Sequence, residues 1–154
     1  MAYDVRLRGG KRMLRAGCVL LSVWCAINLL IGFVIVIAIV VFNTNAPALP
    51  VLFNEMEAHQ IDARALATIN AIAVFFNAIQ AAFCGMCLVV VWVGLWQRAR
   101  WAYWSLLGTT IYIQAAGLAS DYLFFGNRNI VPIAIGAILL LIGFGCSGFA
   151  IFRR

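Results

Sequence analysis

The sequence predicts an all-α membrane protein: an antiparallel four-helix transmembrane bundle with both termini in the cytoplasm. Three observations carry that expectation. The 154-residue chain is 66% hydrophobic and only 10% charged, against about 25% charged in an ordinary soluble domain, so it has more apolar surface than one core of this length can hide. Its apolar residues fall into four runs, each near or above the ~20 residues that cross a bilayer as helix. Almost every charged residue lies in the gaps between those runs, where water or headgroups can solvate it.

The first span is expected over 16–42. Its apolar run is far longer than the ~7–15 residues of a signal-peptide core and ends on no small-residue cleavage site, so it reads as an uncleaved anchor. Asn43-Thr44-Asn45, with Pro47 behind, should stop it. A polar outer loop follows over 43–64. Within it Pro50–Asp62 is amphipathic enough for a short helix, and Asn54 and Glu57 stand at capping-box spacing. The second span, 65–96, is long enough to tilt or to project from the bilayer. Gln97-Arg98-Ala99-Arg100 makes a tight turn into the third span, 101–123, so these two should be antiparallel neighbours. Gly126-Asn127-Arg128-Asn129 is a second turn, with Asn129 placed to cap the fourth span, 130–152. Pro132 falls in that span's first turn, where its missing N–H does little harm. Residues 1–154 then form a single four-span domain without internal repeats.

Charge sets the orientation. Arg6, Arg8, Lys11, Arg12, Arg15, Arg98, Arg100, Arg153 and Arg154 share one side, which holds nine of the eleven basic residues. Glu55, Glu57, Asp62 and Asp121 lie opposite, with Arg64 and Arg128. The positive-inside rule assigns the basic side to the cytoplasm. Trp92, Trp96, Trp101, Tyr103 and Trp104 crowd the same interface, and Tyr122, Phe124 and Phe125 mark the other, as an aromatic belt requires. The net charge of +6 is accounted for by topology and anionic headgroups, leaving membrane lipids as partners and no nucleic acid. The turn Trp96–Ala102 resembles the basic hairpins of many small bacterial membrane proteins, which implies a bacterial inner or plasma membrane.

Polar residues inside the spans carry whatever function there is. Along the second span Asn70, Ala73, Asn77, Gln80, Cys84, Cys87, Val91 and Gly94 follow alternating steps of three and four, a heptad seam. Amides among apolar neighbours must face protein, because an unpaired amide in hydrocarbon costs several kcal/mol. The first span offers Asn28 and the third Gln114. Asn28, Asn77, Gln80, Gln114 and Gly143 are expected near the midplane, with Asn70 nearer the outer end. The amides act either as interhelical glue or as a pocket for a neutral polar or amphiphilic ligand, lined by Asn28, Asn70, Asn77, Gln80 and Gln114. Gly136, Gly143, Gly145 and Gly148 on the fourth span offer surfaces for close helix contact, within the chain or between copies. Asp121 stays hydrated at the outer end of the third span, in reach of Arg128.

Cofactor and metal sites are not expected. The sole histidine, His59, lies in the outer loop beside Glu55, Glu57 and Asp62, a solvated polar face. The only lysine, Lys11, precedes the first span, which removes an intramembrane Schiff base. Five cysteines, mostly inside apolar helix, make no disulfide framework. Cys84-Gly85-Met86-Cys87 has redox-motif spacing and resembles small membrane oxidoreductases of the DsbB and vitamin K epoxide reductase type. In those families the reactive pair lies at the non-cytoplasmic edge with further cysteines in the outer loops. Here the pair falls in the inner half of its span, and loops 43–64 and 124–129 contain no cysteine. Size and span number are also similar to small multidrug-resistance transporters and the MAPEG enzymes. The first rely on a glutamate in their first helix, where this chain has no acid. The second carry a charged pattern on their second helix, where this chain has only Asn70 and Asn77. The leading expectation is therefore a non-catalytic membrane protein acting as subunit, scaffold or self-assembling bundle. A small binding or transport protein using the midplane amides comes next, and a thiol oxidoreductase third.

Overall fold

Four helices make up most of the computed structural model, which describes residues 2–46, 61–120, 122 and 130–152. They are α1 (Ala2–Val40), α2 (Ala63–Val89), α3 (Arg100–Ser120) and α4 (Ile130–Phe152), and a π-helical segment, Val90–Leu95, prolongs α2. No strand occurs among the described residues. The stretches Gly10–Val40, Ala63–Leu95 and Val131–Phe152 are long and apolar enough to cross a membrane, consistent with an integral membrane protein. By the same measure α3 falls short, because Ser105, Thr109, Thr110 and Gln114 interrupt its apolar residues.

Helix ends follow local chemistry. α1 begins well before residue 16, since the basic stretch through Arg15 stays helical. It ends at Asn43, whose φ of 53° is a left-handed conformation that asparagine tolerates better than most residues. The Thr44 N–H then donates to the Ala38 carbonyl at 3.1 Å. Asp62 caps α2, its carboxylate accepting from the Arg64 and Ala65 N–H groups at 3.0 and 3.3 Å. The link from the π segment to α3 is a Schellman turn. The Ala99 N–H donates to the Gly94 carbonyl at 3.0 Å and the Arg98 N–H to that of Leu95 at 2.9 Å. Arg98, at φ 61°, occupies the position where glycine is usual.

α1 is the central element, packed on both α2 and α4. Arg15 stacks over Trp96 at 5.8 Å, Asn28 meets Gln80, and the amide of Asn70 holds the Ala46 N–H at 2.9 Å. Two close approaches set the crossings. A Cβ on Gly32 would lie 2.8 Å from the Asn77 carbonyl, and one on Gly17 would lie 2.7 Å from that of Gly143. Gly94 likewise lets Ala102 come in beside the hairpin. Small residues permit such contact where lipid supplies no hydrophobic drive for helix association. α3 packs on the π segment and on α4, and only slightly on Ala63–Val89.

The buried core sits at the hairpin end. Leu14, Cys18 and Leu21 of α1 meet Val91 and Leu95 of the π segment, Leu106 of α3 and Phe144 of α4. Tyr103 packs edge-on against Phe144 and Phe152 at 5.6 and 5.2 Å. Of the seam on α2, Cys84, Cys87, Val91 and Gly94 are buried and Asn70, Ala73, Asn77 and Gln80 half-buried, while Phe75, Phe76, Met86, Val89 and Val93 are exposed. The expected short helix in 50–62 with its Asn54/Glu57 cap and the His59 cluster lie outside the described residues. So do Asp121 with Arg128, the turn 126–129 with its Asn129 cap, Phe124 and Phe125, and the basic tail.

Candidate functional site: a cleft between the four helices

Beyond the hairpin, α2 and α3 part, and the space between them is a cleft of about 1170 Å³ bordered by all four helices. That exceeds the ~300–1,000 Å³ usual for drug-sized ligands. Its walls are mainly apolar, with Ile27 and Ile31 from α1, Phe76 and Phe83 from α2, and Leu139 from α4. Phe76, Ile79, Trp104 and Tyr112 on its flanks are 65, 50, 60 and 75% exposed, so the cleft opens sideways. Its polar lining comes from Asn28, Gln80, Gln114, Trp24, Ser105 and Thr109, none of which carries charge.

The amides divide into two groups. Asn28 donates from Nδ2 to the Trp24 carbonyl at 2.9 Å and accepts from Gln80 Nε2 at 3.2 Å. That interhelical bond is worth about 0.6 kcal/mol on average. It fastens α1 to α2 and leaves Gln80 Oε1 free to accept. Gln114 makes no hydrogen bond among the described residues and borders the cleft from α3. Asn70 and Asn77 stand outside the cleft wall. Asn77 donates to the Ala73 carbonyl of its own helix at 2.8 Å, beside the Gly32 crossing. Asn70 fastens the segment after α1 through Ala46, and its Nδ2 reaches Asn45 at 3.5 Å. Each sits a fraction of a turn or more from Gln80, and that rotation decides which amide meets the cleft.

The glycines of α4 divide as well. Gly143 meets Leu21 and Gly148 meets Tyr103, both within the chain, whereas nothing lies within 4 Å of a Cβ on Gly145. Gly136 lines the cleft, and a Cβ there would lie 3.1 Å from both Gln114 Nε2 and Trp24 Nε1. Gly143 lies nearer the hairpin than the amides, two turns of helix from Gly136.

Trp24 is the residue that sequence reasoning missed. Only 4% exposed, it brings its indole to the cleft and makes no hydrogen bond among the described residues. The available signal was a tryptophan in mid-span, away from either belt, since a buried indole N–H ordinarily finds a partner.

The thiols are elsewhere. Cys18, Cys25, Cys84 and Cys87 are free thiols, 0, 1, 1 and 5% exposed. Cys146 alone is partly exposed. No group of three or more acidic, histidine or cysteine side chains is arranged to hold a metal among the described residues. Comparison with known protein families, curated proteins and solved structures finds no match to this chain.

Proposed function

We propose that the protein is a multi-pass integral membrane protein that binds an uncharged amphiphilic molecule in the cleft. The observation that carries the reading is the cleft's composition: a lipid-sized, mostly apolar space lined, among the described residues, by three neutral amides and no charged side chain. An antiparallel arrangement of four crossing helices with both termini in the cytoplasm accompanies it. Partners such as Arg15 with Trp96, Asn28 with Gln80, and Ala46 with Asn70 support it, since rising numbers on one side meet falling numbers on the other. So does the sequence pattern that assigns nine of eleven basic residues to one side. The polar face of α3 is then shielded from lipid by the cleft's occupant. The test uses Gly108, which lines the cleft and has nothing within 4 Å of a Cβ. Gly108→Trp should fill the space without disturbing helix contacts. Lipid mass spectrometry of the purified protein should find a neutral amphiphile at near-stoichiometric level in the wild type and lose it in the variant. Equal amounts in both, or none in either, would refute the reading.

A second reading, a subunit or self-assembling bundle, draws on Gly145. Its open surface lies between exposed Leu141, Ile142 and Phe149 on the outer side of α4, where a helix of another copy would approach closely. Native mass from mild detergent tests it, and a strict monomer without partners is the result against it.

A further inference from the structure

Resting on the cleft reading, we infer that the cleft wall beside Gly136 recognises a carbonyl oxygen of an uncharged lipid through the Trp24 indole N–H and the Gln114 amide N–H. Both residues line the cleft, and both nitrogens lie 3.1 Å from the position a Gly136 Cβ would take, so only a glycine there lets the two donors stand side by side. An indole N–H only donates, and an amide nitrogen likewise. Neither has a hydrogen-bond partner among the described residues, and Trp24 is 4% exposed. Among the described residues only Ser22 Oγ is buried without a partner, so these two donors are open to the cleft and available to an acceptor within it. The chemistry of that acceptor follows from the surroundings. No charged side chain among the described residues lines the cleft, so neither a phosphate nor a carboxylate would find a counter-ion among them. An ester, ketone or quinone carbonyl on a hydrophobic molecule satisfies both donors while its chain fills the apolar remainder. The neighbouring Asn28–Gln80 pair, bonded to each other at 3.2 Å, does not compete for it.

The experiment compares two chain-matched probes on the detergent-purified protein: 1-monooleoylglycerol, which has an ester carbonyl, and its ether-linked analogue, which has none. The ester should bind about tenfold more tightly, two hydrogen bonds being at stake. With a ¹³C-labelled carbonyl its stretching band should move to lower frequency on binding. Trp24→Phe and Gln114→Leu should each shrink the difference between probes, and Gly136→Ala, whose methyl would press against both nitrogens at 3.1 Å and push them apart, should abolish it. Gly136→Ala keeps the test decisive if removal of the indole N–H unsettles folding. Equal binding of ester and ether overturns the carbonyl assignment and leaves the cleft reading standing. Binding of neither probe overturns both.

Discussion

Gly17→Ala is the sharpest test of how α1 meets α4. The added methyl would lie 2.7 Å from the Gly143 carbonyl oxygen and 2.9 Å from the Ser147 nitrogen, with Ser147 Oγ closer still. Two of these are backbone atoms, and carbon contacts are comfortable only from about 3.5 Å. The helices must therefore separate by roughly 0.5–1 Å, which loosens the adjoining contact of Leu21 with Gly143. Overpacking of this kind costs about 1–3 kcal/mol, against a helix-propensity gain of up to ~1 kcal/mol for alanine over glycine. A net loss of about 1–2 kcal/mol is expected. Gly10→Ala is the matched control, on the same helix with nothing within 4 Å of its Cβ, and should be neutral or stabilising. Reversible unfolding of both variants by SDS titration in maltoside micelles, followed by circular dichroism, measures the difference. If Gly17→Ala proves as stable as Gly10→Ala, the close crossing of α1 and α4 is wrong.

Arg98→Gly should stabilise the hairpin. A left-handed conformation costs an L-residue about 1–2 kcal/mol, and glycine's greater chain entropy returns ~0.5–1 kcal/mol of that, so a gain of roughly 0.5–1 kcal/mol is expected in the same titration; a loss would contradict the Schellman turn. Maleimide labelling of intact membranes, resolved by peptide mass spectrometry, should modify Cys146 first and leave Cys18, Cys25, Cys84 and Cys87 unmodified until detergent denaturation. Rapid reaction at Cys84 or Cys87 would contradict their burial and revive the thiol-enzyme alternative.

Much of the architecture is legible in the sequence because hydropathy and period are one-dimensional signals. The inward seam of α2 follows from steps of three and four, and the stop after Phe42 follows from the polar run that contains Asn43. What the pattern does not contain is rotation finer than a turn. Asn77 and Gln80 belong to one stripe, yet one faces the Gly32 crossing and the other the cleft. Trp24 escapes because tryptophan is read as an interface residue, and only packing shows that α1 carries one into the interior. α3 falls short of the other three helices in hydropathy for a related reason: residues that lower its hydropathy, such as Ser105 and Thr109, line the cleft. The hairpin's α-to-π change leaves no mark in hydrophobic spacing, because Val90–Leu95 reads as ordinary apolar helix.

That π segment has a consequence for the length of the chain. At the end of the π segment the Trp96 N–H donates to the Val91 carbonyl, five residues back, at 2.9 Å, so this stretch accommodates an added residue without breaking the helix. Within it adjacent Gly94 and Leu95 are both buried. A chain of the same fold built with an unbroken α-helix here would be one residue shorter, and its hairpin would be swung around the bundle axis. In any future set of relatives, a single-residue gap inside Val90–Leu95 would therefore mark the presence or loss of the wide turn, and with it the direction in which α3 leaves α2.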